Sequence, residues 1–115
     1  MYANKSVRIA GNGKELVPTG IAFAIPVGYF GKVYERSGVS INLSFGIKAG
    51  VIDADYTGEV VLIVRNEGEF PDQIDVGMKL AQIAFHEVPP VELTEVDVLP
   101  ETARGKKGFG SSDKK

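Results

Sequence analysis

Apolar and polar residues alternate in short runs along this chain, and glycine or proline breaks nearly every run. Tyr29–Tyr34 is the clearest case: Tyr29, Gly31 and Val33 fall on one side and Phe30, Lys32 and Tyr34 on the other. Lys79–Val88 repeats the pattern, with Ala81, Ile83 and Phe85 on one face and Leu80, Gln82, Ala84 and His86 on the opposite one. A period of two is the signature of a strand, because successive side chains point to opposite faces of a sheet. Ser6–Ile9, Glu15–Val17 and Ile21–Ile25 read as shorter strands, separated by Gly11-Asn12-Gly13 and Pro18-Thr19-Gly20. Val60–Val64 is continuously apolar, which predicts a strand buried on both faces. Val91–Val98 alternates more weakly. No window of helical length carries a 3.6-residue apolar period. The pattern predicts an all-β domain, a compact sandwich or barrel.

Length sets the scale. At 115 residues the chain is one domain with one modest core. Hydrophobic residues make up 43% and charged residues 24%, which suits a globular protein rather than a disordered one. No apolar run approaches the length of a membrane span. The opening residues, with Lys5 and Arg8 and no apolar stretch, do not read as a secretory signal. There is no cysteine and only one histidine, His86, so thiol chemistry, disulfides and two-histidine sites are excluded. His86 itself reads as a structural or surface residue, and Tyr29, Phe30 and Tyr34 as core and edge packing.

Charge changes the picture at one end. The formal net charge is −2, so the body is not built to bind a polyanion such as nucleic acid. Yet five basic residues and one acid fall between Arg104 and Lys115, leaving eight basic and fourteen acidic residues for the rest. Pro100–Lys115 holds one large apolar residue, Phe109, and three glycines. It cannot bury enough surface to pack by itself and reads as a flexible arm, residues 100–115, on a β-domain of residues 1–99.

Four segments differ from ordinary strand and turn filler. In Glu35-Arg36-Ser37-Gly38, a guanidinium fork, a hydroxyl and a glycine together can hold an anion; a strand end with a surface arginine has the same spelling. In the stretch Gly50 to Gly58, Asp53 and Asp55 flank an alanine, and Asp55-Tyr56-Thr57-Gly58 reads as a turn. A carboxylate at the edge of a buried strand is expensive without a task or a partner, so Asp53 either serves the turn or positions and deprotonates a water. Gln82 interrupts an apolar strand; its amide could bind a phosphate oxygen, a metal-bound water, or simply the neighbouring strand. In Arg104 to Ser112, glycines free the backbone to wrap an anion, the cations supply charge, Ser111 and Ser112 supply hydroxyls, and Phe109 can stack on a flat ring. That segment is not a Walker loop.

In this order the four segments resemble the trimeric dUTP pyrophosphatase (dUTPase) family. Gly31 to Gly38 looks like its second motif, Ala49 to Gly58 its third, Gly77 to Gln82 its fourth and Arg104 to Ser112 its fifth. The resemblance implies a jelly-roll-like, distorted β-barrel subunit in a homotrimer, with active sites shared between subunits. It implies Mg²⁺-dependent hydrolysis of dUTP to dUMP and pyrophosphate, with Asp53 activating the water that attacks the α-phosphorus. Arg36, Ser37, Gly38 and Gln82 would hold phosphates, Gln82 also lying near metal-bound water. Tyr56 would pack under the deoxyribose, and backbone groups from Ile47 to Gly50 would pair with uracil. Phe109 with Gly110 would cap the base, while Arg104, Ser111 and Ser112 clamp the phosphates. The localisation implied is the cytoplasm, the nucleus or a host cell interior, with neither secretion nor membrane nor direct nucleic-acid binding.

Three departures stand out. The family's first motif, Ala-Gly-x-Asp-Leu, has no counterpart; Tyr2-Ala3-Asn4-Lys5 would align just after it. Met78 and Lys79 stand where an acid and an arginine are common, and the tail closes Ser111-Ser112-Asp113 where Ser-Thr-Gly is usual. Two other functions fit the same fold: a nucleotide-binding or regulatory protein impaired in catalysis, and the related dCTP deaminase, which suits the Asp53 segment and the tail less well.

Overall fold

The computed structural model describes residues 1–42, 44–48 and 50–110, the backbone alone at 40–42. Among the described residues, eight strands and one helix follow one another as β1 (Val7–Ile9), β2 (Lys14–Pro18), β3 (Tyr29–Glu35), α1 (Ser37–Asn42), β4 (Phe45–Lys48), β5 (Val51–Ile52), β6 (Val61–Asn66), β7 (Asp72–Ile74) and β8 (Ala81–Glu87). They pair antiparallel in three small sheets, β1-β7, β2-β6-β4 and β5-β3-β8. β3 and β8 run side by side over seven residues, from Tyr29 opposite Glu87 to Glu35 opposite Ala81.

The sheets enclose one core. Ile9, Val17, Val64, Ile74 and Leu80 are fully buried, with Phe45, Leu62 and Val33 beside them. Each such side chain contributes about 1.5–3 kcal/mol when removed from water. Among the described residues two polar side chains are buried with them, Thr19 and Asn66. Asn66 ends β6, and its amide donates to the carbonyls of Ile9 and Phe70 while its oxygen accepts from the Gly68 N–H. It thereby ties β6 to β1 and to the loop before β7.

The expected all-β domain is present, and five of the anticipated strands form within a few residues of their expected limits. Ile21–Ile25 does not form a strand. It keeps the alternation all the same: Ile25 is buried, Ile21 and Phe23 are half-buried, and Phe23 meets Phe85 edge to face at 5.5 Å. Val91–Val98 also joins no sheet and is exposed throughout. β6 is buried on one face only. Leu62 and Val64 are in the core, but Val61 is 41% exposed and Ile63 is partly exposed beside Leu16, its cross-strand partner. α1 was not anticipated, because six residues are too few for a helical period to show; of its described side chains, Val39 alone is buried. Tyr29 and Tyr34 lie on the surface; Tyr34 shares a hydrogen bond with His86, which stacks on Phe30. No helix among the described residues is long and apolar enough to cross a membrane.

Candidate active site

A cleft of about 290 Å³ opens where β5 leaves β3. Val33, Ile47, Gly50, Ile52, Asp53 and Tyr56 are among its lining residues. Gly50 makes the corner. Its φ is +127°, a conformation that side chains rarely adopt, and a Cβ there would lie 3.0 Å from the Val33 carbonyl oxygen. The close approach lets the Val33 N–H donate to the Gly50 carbonyl at 2.8 Å. The chain then pairs with β3 for two residues and turns, the Tyr56 N–H closing back on the Asp53 carbonyl at 3.1 Å. The turn therefore begins at Asp53, two residues before the stretch that the sequence marks.

This turn presents two side chains. Asp53 is exposed, and among the described residues no group is hydrogen-bonded to its carboxylate. The expectation of a carboxylate under desolvation pressure is thus corrected: Ile52 carries the burial and Asp53 projects beyond it. The Tyr56 ring is held at its far end, its hydroxyl donating to the Glu59 carbonyl at 2.6 Å. Glu59 also lines the cleft, and its carboxylate accepts the Gly20 N–H at 2.8 Å. Sequence reasoning missed Glu59, which follows the marked segment directly and offers no pattern of its own.

The other expected anion holders gather at the opposite end of β3. Arg36 follows the strand and is half-buried; Ser37 and Gly38 open α1 in exposed positions. Gln82 on β8 donates to the Glu35 carbonyl at 3.0 Å, which brings its amide to the base of Arg36. The α-amino group of Met1 lies in the same neighbourhood. Burial first, then the charges of Arg36 and Lys79, lowers its pKa below the ordinary value. The region is therefore electropositive. Glu35 offsets it in part and accepts the Ile47 N–H at 3.1 Å, so that donor is already engaged.

These two ends do not meet within the chain. β5 is antiparallel to β3, with Ile52 opposite Gly31, so Asp53 lies level with the start of β3 and Arg36 with its end. At about 3.3 Å per residue, roughly 15–20 Å of strand separates them. The arm residues stand apart from both. Arg104 and Lys107 close a local turn, with Arg104 Nε donating to the Lys107 carbonyl at 2.8 Å, and Phe109 and Gly110 are fully exposed. Ser111 and Ser112 lie outside the described residues.

Comparison with known proteins places this geometry in a family. The dUTPase family model matches residues 1–113. The deoxyuridine 5'-triphosphate nucleotidohydrolase of Solanum lycopersicum is 38% identical over 105 residues, covering 91% of this chain and 62% of that protein. Among solved structures, a dUTPase variant of Staphylococcus bacteriophage 80alpha with dUpNHpp superposes with a TM-score of 0.89 at 26% identity, covering 97% of this chain and 83% of that one. A dUTPase variant of phage phi11 of S. aureus, described with a structural Mg(II) ion, gives 0.76 at 27% identity, covering 85% and 81%.

Proposed function

The chain belongs to the dUTPase family, and on that premise we propose that it hydrolyses dUTP to dUMP and pyrophosphate in the cleft beside Asp53 and Tyr56. The carrying observation is the cleft itself: one open carboxylate and one fixed aromatic ring, three and six residues along the chain from the Gly50 corner. A flat ring of pyrimidine size enters against the backbone of residues 47–50, and Tyr56 lies under the sugar. Because the Ile47 N–H is engaged by Glu35, base pairing falls to the remaining backbone groups of that stretch.

Asp53 acts as general base. It takes a proton from a water whose oxygen attacks the α-phosphorus, and pyrophosphate leaves with the electrons of the broken P–O bond. An exposed carboxylate with no hydrogen-bond partner among the described residues has lone pairs to offer that water. Arg36 offers the planar fork that phosphate oxygens accept, and Ser37 a hydroxyl, while Gln82 is braced against Glu35. The donor set suits a hydrated Mg²⁺ carried in on the triphosphate. Hard oxygen groups, Gln82 Oε1 and the Asp53 carboxylate, can receive hydrogen bonds from its water shell; no cluster of three or more His or acidic side chains is available among the described residues to hold it directly. When bound, the ion neutralises charge on the phosphate oxygens.

The working unit in this reading is a homotrimer. Two observations support it. Asp53 and Arg36 stand too far apart along β3 to serve one substrate from one chain. Apolar surface is also left uncovered on Leu16 (64% exposed), Val61 and the run from Val91 to Leu99. A second copy would place its Arg36 end against the first copy's Asp53 end. Residues 100–115 then act as a separate arm: Phe109 and Gly110 cap the base, and Arg104, Ser111 and Ser112 hold phosphates. A nucleoside triphosphate substrate places the enzyme inside a cell, in cytoplasm, nucleus or host interior.

The test is pyrophosphate release from dUTP with and without Mg²⁺, for the parent and for Asp53→Asn. Turnover that requires Mg²⁺ and collapses in the variant is expected. Binding without turnover in the parent would instead identify a non-catalytic relative, and ammonia release from dCTP would identify a deaminase.

A further inference from the structure

Tyr56 is held by more than its hydroxyl. An ideal Cβ built on Gly58 would lie 2.8 Å from the Tyr56 hydroxyl oxygen, 2.9 Å from Cζ and 3.2 Å from Cε1. The ring therefore rests against a bare α-carbon. Gly58 is not among the glycines with positive φ, so its backbone tolerates a side chain. What excludes one is the tyrosine ring. Behind the ring the backbone is braced: the Glu59 carboxylate accepts the Gly20 N–H, the Val60 N–H donates to the Ile21 carbonyl at 2.8 Å, and the buried Thr19 hydroxyl donates to the Val60 carbonyl at 2.6 Å. The Glu59 carbonyl that receives the tyrosine hydroxyl is thus a fixed point.

We propose that Gly58, together with the braced Glu59 carbonyl, is a specificity-determining element that sets the plane of the Tyr56 ring and so decides whether a ribose 2′-hydroxyl is admitted. The proposal rests on the reading of Tyr56 as the surface under the sugar. Non-bonded carbon atoms settle at about 3.5–4.0 Å, so a methyl at residue 58 displaces the ring end by roughly 0.7–1 Å. The displaced atoms are the far end of a side chain, anchored by one hydrogen bond, so the ring yields and the fold does not. Displacement breaks the 2.6 Å bond to Glu59 and removes the ring from its set plane. A misplacement of that size in a binding site is enough to cost about tenfold or more in selectivity.

The experiment measures kcat/KM for dUTP and for UTP in the parent, Gly58→Ala, Tyr56→Phe, Tyr56→Ala and Gly58→Ala/Tyr56→Phe, with a thermal melt of each. Gly58→Ala is expected to melt close to the parent and to lose at least about tenfold of the dUTP/UTP preference. Tyr56→Phe is expected to lose a smaller share. In the double variant the Phe change adds nothing further, because the alanine has already broken the bond that it removes. Gly58→Ala with the parental preference overturns the proposal, and so does a Gly58→Ala protein that does not fold, since the ring would then not be the part that yields. Additive losses in the double variant overturn the role of the Glu59 bond. Tyr56→Ala with an unchanged preference overturns the reading of Tyr56 itself, whatever Gly58 does.

Discussion

The two ends of β3 are built on different principles. At its start, β5 and the Asp53–Tyr56 turn form a closed corner, in which a glycine, backbone bonds and a braced carbonyl fix the course of the chain and the Tyr56 ring, with the Asp53 carboxylate projecting beyond it. At its end, Arg36, Ser37 and Gln82 stand on an open ledge, with one side-chain bond to the strand beneath. The first end is suited to shape, a ring and a sugar. The second is suited to charge, which tolerates looser placement because Coulomb attraction falls slowly with distance. A single chain holds one of each but keeps them apart, so the recognition of base and phosphate is divided between copies in the proposed trimer.

That contrast can be broken by experiment. Asp53→Asn should lower kcat about 10²–10⁴-fold, as removal of a general base does, with an unchanged melt; a pyrophosphate-release assay reads it, and parental turnover would remove Asp53 from the chemistry. Deleting residues 104–115 should lower kcat/KM about 100-fold through lost positioning and leave the melting temperature in place; a large drop in melting temperature would show that the arm is part of the core. Arg36→Ala should cost roughly 10–100-fold in kcat/KM for loss of a charge-assisted phosphate contact. Mixing and reassembling equal amounts of Asp53→Asn and Arg36→Ala chains should then restore about a quarter of parental activity, since random assembly joins the intact ends of two chains at that frequency. A mixture no more active than its parts would place both residues in one chain's site. Asn66→Ala should leave the cleft alone and lower stability by about 1–3 kcal/mol, the cost of orphaning buried backbone groups, read as a shift in the urea midpoint.

The parts that were legible in the sequence are those where one face of an element differs from the other. β3 and β8 carry a plain alternation and pair over their full length. Ile21–Ile25 alternates for the same reason, half-burial, yet makes no ladder; alternation reports which side chains are buried and says nothing of where the backbone bonds go. Val60–Val64 misled differently. A continuous apolar run means that both faces leave water, and in one chain only one of them does. Asp53 stood out on an argument about burial that the structure does not support, since its carboxylate is exposed. Glu59 and Asn66 left no signal, because each acts through a carbonyl or a contact distant in sequence; Gly58 read only as the end of a turn, not as the bare α-carbon beneath the Tyr56 ring.

The half-uncovered face of β6 has a consequence for how such an enzyme behaves in dilute solution. If its outer apolar residues and its cleft are both completed by neighbouring copies, then protomer concentration sets the melting temperature and the number of competent sites together. Specific activity would decline on dilution before any chain loses its secondary structure. Substrate, by bridging two copies, would slow that decline, so the nucleotide itself would serve as the glue of the assembly that consumes it.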